Sequence, residues 1–389
     1  MGSQDQQRET PANILGRIYQ RAAADVTISF VADADIQEKI HFIAHNRIGA
    51  DVRVLMACTL AKIHEPTKDI RKPYAVLGED SYSGRNYDEH QIAAFIATYG
   101  LPCNRTTGFL TPAFRTKNVV LTRDVHLGGE APELDNAFLA VITAIHEGRV
   151  AAEDVLAETV RNLLEIKSAR VAELEVSMAS LRQPGGEDAL SAEGIVTLLR
   201  QHMSSPHTSR LPVLMVAAAY IAAASFLQER PLPLQEHNAA DEQTGALGDV
   251  EIVLVADSEV VTAYEMKDRV VTRNDVDQAL QKAQRYQQKD GRKLDNYIFI
   301  TTERIDPDVT EYAAGLYEKT GGIEFVILDC MGFLRHFLHL FYRLRMRFLD
   351  AYQTLLLAEP ESAVRHELKV SFLALRRAAE AHDVEDDKP

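Results

Sequence analysis

The chain has 389 residues, too many for one ordinary hydrophobic core, so we expect two or three domains. With 46% hydrophobic and 25% charged residues, its composition is that of a globular protein. The net charge of −15 disfavours a protein that coats nucleic acid or membranes nonspecifically, although it allows a local basic cleft. The three cysteines lie far apart without disulfide or zinc spacing, and the start MGSQDQQRETPAN has no apolar signal core, so we expect a cytoplasmic protein.

The N-terminal half is predicted to be mostly helical. Apolar residues recur at helical spacing over residues 11–65 and 131–182. The intervening stretch is rich in Pro and Gly, which predicts turns around one helix that begins at the cap Asp88 and ends at Gly100.

The second half alternates strands with helices. The uncharged run Leu211–Leu227 has 17 residues, fewer than the roughly 20 of a membrane span, and is predicted to be a buried core helix. Strands are predicted at about 249–256, 260–267, 296–301 and 323–328, with helices at about 273–288 and 308–318 and two long helices to about residue 382. This order predicts an α/β fold, a mixed sheet flanked by helices, whose first two strands form an antiparallel hairpin.

The stretch RQPGGEDALS (182–191) is the best linker candidate. We therefore predict a mostly α-helical domain over residues 1–185 and an α/β domain over residues 190–389. The acidic end HDVEDDKP is predicted to be disordered.

Asp249, Glu265 and Lys267 lie in two short apolar runs, where an unpaired charge is costly unless it binds a metal. If the turn centres on residues 257–259, Asp249 lies opposite Lys267, with Glu265 two positions along. Because side chains alternate along a strand, Glu265 and Lys267 share a face that Asp249 can reach. Glu251 lies on the same face as Asp249.

Two carboxylates and a lysine suit metal-assisted hydrolysis of a phosphodiester. The carboxylates of Asp249 and Glu265 are hard oxygen ligands for Mg²⁺, and the Met266 backbone carbonyl and Glu251 are further candidates. Bound Mg²⁺ activates water and offsets charge on phosphate, while Lys267 adds a fixed positive charge. The alternative is an ordinary salt bridge at a strand end, such as a cross-strand pair of Lys267 with Asp249.

The order of helix, hairpin with Asp249 and Glu265-Met266-Lys267, helix and strand resembles the core of the PD-(D/E)xK nucleases over roughly residues 208–330. Gly248 stands where that family has proline. The resemblance implies that Asp249 and Glu265 are metal ligands and that Lys267 is the catalytic lysine.

Residues 82–118 and the segment SRLPVLMVAAAYIAAA are similar to type II restriction endonucleases of the SacI group. This implies a restriction-endonuclease-like core that cuts double-stranded DNA at specific sites with Mg²⁺, or Mn²⁺ as a substitute. It also implies a homodimer with a companion DNA methyltransferase in a prokaryotic cytoplasm.

The composition around residues 82–118 is compatible with DNA contact, since His41–Asp124 contains 11 Lys and Arg but 8 Asp and Glu. The candidates for contact with phosphates or base edges are Arg85, Asn104, Arg105, Thr106, Thr107, Arg115 and Lys117. The alternative is a structural turn with Asn104 and Thr106 as caps. Near the hairpin, Arg273 is a further phosphate candidate, Thr272 is predicted to cap the next helix, and Asp241 is either an added metal ligand or a solvated loop acid.

We therefore predict a helical DNA-recognition domain followed by a nuclease domain. Cleavage of both strands needs two such sites, so a homodimer is expected. The alternatives are a modification-dependent or repair endonuclease on the same core, and a DNA-binding protein whose nuclease site has decayed.

Overall fold

A computed structural model of the protein describes residues 9–24, 28–46, 50–103, 107–115, 117–129, 131–181, 190–235, 246–256, 259–290 and 294–386. The chain divides into two compact units, Met1–Glu173 and Leu174–Pro389. Most of the predicted linker, residues 182–189, lies outside the described residues.

The N-terminal unit is mostly helical, as the sequence predicts. Its helices are α1 (Pro11–Ala24), α2 (Ala34–His45), α3 (Ala50–His64), α4 (Gly84–Tyr87), α5 (Ala93–Tyr99), α6 (Pro132–His146) and α7 (Ala152–Ala179), the last of which crosses the division between the units. Every residue of α3 from Ala50 to Ala61 is buried, because α1, α2 and α6 pack around it. A helix that is buried on all sides is a central core element.

Asp88 does not cap a helix, and that prediction was wrong. The Ser83 side chain caps α4, which passes through a π-helical turn at Asp88–Ile92 and continues as α5 to the left-handed Gly100. Asp88 is fully buried, and its Oδ1 lies 2.6 Å from a guanidinium nitrogen of Arg53 on α3. The carboxylate is needed inside the core because a buried guanidinium must be paired.

Asp51, in the first turn of α3, is a buried carboxyl with an unsatisfied oxygen. It is 4% exposed, and its Oδ1 has no hydrogen-bond partner among the described residues. Burial raises the pKa of Asp51 to about 7, and the nearby carboxylate of Asp135 adds to the shift. The folded unit therefore holds this proton more tightly than the unfolded chain does.

Asp51→Asn is expected to stabilise the protein more at high pH than at low pH. The ionised carboxylate destabilises the folded state fully above about pH 7, and this destabilisation decreases as the pH falls from about 7 toward 3.8, the ordinary pKa of the carboxyl. The gain in the free energy of unfolding should be about 3 kcal/mol larger at pH 8 than at pH 5, because roughly two pH units each contribute about 1.4 kcal/mol. Urea denaturation at both pH values measures it, with Asp35→Asn in the exposed first turn of α2 as control. Equal gains at both pH values would show that Asp51 ionises normally.

In the described part of the C-terminal unit, five strands form a mixed sheet in the order β1-β2-β3-β4-β5. The strands are β1 (Glu229–Pro231), β2 (Val250–Leu254), β3 (Val260–Lys267), β4 (Asn296–Thr301) and β5 (Glu324–Asp329). β1, β2 and β3 pair antiparallel, whereas β3, β4 and β5 pair parallel. The mixed sheet and the hairpin confirm the predicted fold class. The sequence did not predict β1, a short edge strand that ends in Pro231, a residue suited to a sheet edge.

Helices cover both faces of this sheet. They are α8 (Ala192–Met203), α9 (Leu211–Leu227), α10 (Arg273–Asp290), α11 (Pro307–Ala314), α12 (Leu316–Thr320), α13 (Cys330–Leu340), α14 (Arg345–Ala358) and α15 (His366–Asp386). The face with Val250, Ile252 and Tyr264 shares a core with α8, α9 and α13–α15. The opposite face, with Ala263 and Phe299, shares a core with α10, α11 and α12.

The helices of this unit differ from the prediction in three places. The predicted helix at 308–318 is interrupted at Gly315, and the predicted final two long helices are α13, α14 and α15. α15 continues to Asp386, into the segment for which the sequence predicts disorder. The prediction for Leu211–Leu227 is confirmed, because α9 is buried in the core. No helix in the described ranges is long and apolar enough to cross a membrane.

Candidate active site

The β2–β3 hairpin sets the position of the predicted site. Val250, the first residue of β2, lies opposite Tyr264, whereas the predicted register puts it opposite Met266. The predicted hairpin register, which set Asp249 opposite Lys267, was therefore wrong by two residues at the start of β2.

The difference in register has a physical cause. The register of a hairpin depends on its turn and on bulges, and neither follows from hydrophobic alternation. Here the pairing shifts between Ile252, which lies opposite Thr262, and Val253, which lies opposite Val260. The turn residues 257–258 lie outside the described residues.

Glu251, Glu265 and Lys267 nevertheless share one face of the sheet. Glu251 lies opposite Ala263, and Ala263 packs in the core beneath α10. Because side chains alternate along β3, Glu265 and Lys267 lie on this same face, whereas Asp249 directly precedes β2. On this face of β3, the charged residues Glu265 and Lys267 directly follow the apolar residue Ala263.

Asp249 is exposed and contacts β3 directly. Its Oδ2 accepts a hydrogen bond of 2.7 Å from the backbone N–H of Met266. The N–H and C=O of one residue point to the same side of a strand, so the Met266 carbonyl also faces the side of Asp249. Gly248 precedes Asp249 because a Cβ there would collide with the carbonyl of Tyr264, so the strands approach closely at this point.

Glu265 and Lys267 form a half-buried ion pair. The Oε1 of Glu265 lies 2.9 Å from the Nζ of Lys267, and the two side chains are 15% and 20% exposed. Two further groups contact Oε2, the hydroxyl of Tyr297 at 3.1 Å and the Nζ of Lys282 at 3.3 Å.

Lys282 and Tyr297 were not identified from the sequence. The sequence does contain a pattern that could have identified Lys282. This lysine lies between Ala279 and Ala283, which are on the face of α10 that packs against the sheet. A lysine on such a face needs a partner, and Glu265 is that partner.

A second ion pair stands beside Lys267. The Oδ1 of Asp275 lies 3.9 Å from the Nζ of Lys267 and 2.6 Å from Arg269. Burial acts to raise the pKa of Asp275, but the hydrogen bonds from Arg269 and Thr272 outweigh it and hold the pKa well below its usual range. The predicted cap is confirmed, since the Thr272 hydroxyl accepts from the backbone N–H of Asp275 at 3.3 Å. Arg273 is exposed and lies over the Tyr312 ring at 5.2 Å.

Glu251 lies on the same face, but its carboxylate is hydrogen-bonded to Leu247, four residues earlier in the chain. Its Oε1 accepts a hydrogen bond of 2.7 Å from the N–H of Leu247. The side chain is half-buried, and this burial raises its pKa despite the bond from Leu247. A role as metal ligand would require this carboxylate to turn away from Leu247.

The structure describes only some of the DNA-contact candidates of the N-terminal unit. Asn104, Arg105 and Thr106 lie outside the described residues, as does Asp241 of the C-terminal unit. Thr107 is buried and donates its hydroxyl to Asp88 at 2.5 Å, so a contact with DNA would break that bond.

The three remaining candidates of this unit are all described. Arg85 forms a surface pair of 2.7 Å with Glu89. Arg115 is exposed, and the Nζ of Lys117 lies 3.4 Å from the carbonyl oxygen of His126. These residues remain predictions.

A mixed sheet flanked by helices, with charged residues at the open end of its hairpin, defines an α/β fold of the nuclease-like kind. Residues 190–301 match the family model described as SacI restriction endonuclease C-terminal domain. The match covers less than a third of the chain, from just before α8 to the end of β4, and includes Asp249, Glu265 and Lys267. It supports a restriction endonuclease, a hydrolase whose substrate is DNA. A comparison with curated proteins found no match.

Proposed function

We propose that the protein is a type II restriction endonuclease that hydrolyses double-stranded DNA at specific sites with Mg²⁺, using a PD-(D/E)xK site in its C-terminal unit. The main support for this proposal is the arrangement of the charged residues at the β2–β3 hairpin. The hairpin brings the Asp249 carboxylate to Met266 and holds Glu265 and Lys267 2.9 Å apart on the same face. These residues lie within the segment that is similar to a restriction endonuclease domain.

The available ligands suit Mg²⁺. Asp249 and Glu265 offer carboxylate oxygens, and the Met266 carbonyl faces the same side as Asp249. In the ranges that the structure describes, no cluster of three or more His, Cys, Asp or Glu is arranged for a metal. A set of two carboxylates and one carbonyl is still adequate, because Mg²⁺ keeps several waters and accepts substrate phosphate oxygens.

The protein residues have distinct roles in this proposal. When bound by Asp249, Glu265 and the Met266 carbonyl, Mg²⁺ supplies the Lewis acidity that activates water and offsets phosphate charge. Lys267 provides a positive charge for the phosphate, and its ammonium is oriented between Glu265 at 2.9 Å and Asp275 at 3.9 Å. Asp249 directly precedes β2, and Glu265 and Lys267 lie in β3, so the hairpin positions these groups before the substrate arrives.

The remaining features of the proposal concern partners. We propose a homodimer, because cleavage of both strands requires two sites. We also propose that the N-terminal unit contributes to DNA recognition, and that a companion DNA methyltransferase protects host DNA in a prokaryotic cytoplasm. Mn²⁺ is expected to substitute for Mg²⁺, because both suit all-oxygen ligand sets.

Incubation of the purified chain with unmethylated plasmid DNA and Mg²⁺ tests this function. Discrete bands that disappear on chelation are the expected result. Cutting confined to modified DNA would instead indicate a modification-dependent enzyme. Specific binding without cutting under Mg²⁺ or Mn²⁺ would indicate a DNA-binding protein with a decayed site.

A further inference from the structure

Lys282 is a second lysine at the Glu265 carboxylate, and it comes from α10 rather than from the strand that carries Lys267. Its side chain is 23% exposed, and its Nζ lies 3.3 Å from the Oε2 of Glu265. The neighbouring Ala279 and Ala283 pack in the core between α10 and the sheet. This packing fixes the backbone from which Lys282 extends toward the site.

The two oxygens of Glu265 have different partners. Oε1 contacts Lys267, which follows it by two residues on β3. Oε2 contacts Lys282 from α10 and Tyr297 from β4. Groups from three elements therefore determine the orientation of one carboxylate.

Tyr297 alone does not account for the position of Oε2. Its hydroxyl lies 2.7 Å from the carbonyl oxygen of Leu247 and 3.1 Å from Oε2 of Glu265. A hydroxyl has one hydrogen and can donate it to only one of these two acceptors at a time. The ammonium of Lys282 has three donors, so it can donate to Oε2 while Tyr297 donates to Leu247.

We propose that Lys282 is a positioning residue that, with Tyr297, fixes Oε2 of Glu265 and so keeps this carboxylate in its orientation for a divalent cation. The proposal rests on the proposed function, because it concerns the same site. Hydrogen bonds to a ligating carboxylate orient it, and their loss commonly weakens metal binding or activity by about 10–100-fold.

The direction of the effect separates positioning from simple charge. A positive charge near the site repels a cation, so if Lys282 acted through charge alone, its removal would strengthen cation binding. If Lys282 positions Glu265, its removal weakens cation binding even though one positive charge is lost.

The test measures Mn²⁺ binding to the full chain by electron paramagnetic resonance. Only the component of binding that is lost in the Glu265→Gln variant is counted, because that component depends on Glu265. Lys282→Met is expected to weaken this binding by about 10–100-fold. Lys282→Arg, which keeps the charge and its N–H donors, is expected to recover most of the loss. Lys319→Met, which removes a charge from an exposed position of the same unit, should leave the affinity unchanged. Urea denaturation checks that each variant folds, and Lys282→Gln is measured if Lys282→Met does not.

The outcomes separate the two proposals. If the wild-type chain binds Mn²⁺ and cleaves DNA but Lys282→Met binds Mn²⁺ equally or more tightly, the positioning role is wrong and the proposed function stands. If the wild-type chain neither binds Mn²⁺ through Glu265 nor cleaves DNA, the proposed function fails, and the role of Lys282 fails with it.

Discussion

Asp249→Ala and Lys267→Ala are each expected to abolish DNA cleavage and to leave specific DNA binding measurable. Asp249 supplies a carboxylate that also fixes the Met266 backbone, and Lys267 is the ammonium held between Glu265 and Asp275. Loss of one electrostatic group of this kind typically costs about 10²–10³-fold in rate. Single-turnover cleavage of plasmid DNA measures the rate, and a gel-shift titration measures the binding.

Two surface variants serve as controls for this experiment. Glu259→Ala removes an exposed carboxylate next to the turn of the same hairpin, and Lys319→Ala removes an exposed ammonium. Both are expected to cleave like the wild-type chain. Wild-type cleavage by both Asp249→Ala and Lys267→Ala would refute the site.

Asp88→Ala is expected to destabilise the N-terminal unit by about 3–5 kcal/mol, because it leaves the guanidinium of Arg53 buried without its carboxylate. The two side chains are 3% and 0% exposed, and Asp88 also accepts bonds of 2.5 Å from Thr107 and 2.8 Å from the N–H of Gly108. One substitution therefore removes the shared acceptor of three donors. The free energy of unfolding from urea denaturation measures the loss.

Matched variants show whether the burial of Arg53 causes this loss. Arg53→Met combined with Asp88→Leu removes both charges and should recover the part of the loss that comes from Arg53 losing its carboxylate partner, whereas the part that comes from the Thr107 hydroxyl and the Gly108 N–H losing their acceptor should remain. Glu89→Ala breaks the surface pair with Arg85 and should cost less than about 1 kcal/mol. A loss equally small for Asp88→Ala would contradict the buried ion pair.

The strands of the site could be predicted closely from the sequence. β3 and β4 have the predicted bounds, residues 260–267 and 296–301, because both are short runs rich in β-branched and aromatic residues. Alternation then placed Glu265 and Lys267 on one face. The register could not be predicted, since the irregularity between Ile252 and Val253 leaves no mark in hydrophobic spacing.

Contacts between distant parts of the chain account for what the sequence missed. Asp88 has the sequence features of a helix cap. Its carboxylate instead pairs inside the core with Arg53, which lies 35 residues earlier in the chain. Tyr297 reaches Glu265 across 32 residues, through the parallel pairing of β3 with β4. Such partners depend on tertiary packing, which local propensity does not encode.

The most direct test of the site is the position of Mn²⁺ in crystals of the full chain, located by anomalous scattering. We expect a peak roughly 2 Å from carboxylate oxygens of both Asp249 and Glu265, and no such peak in Asp249→Ala. Mn²⁺ bound at other acidic residues, with none at the end of the β2–β3 hairpin, would contradict this expectation.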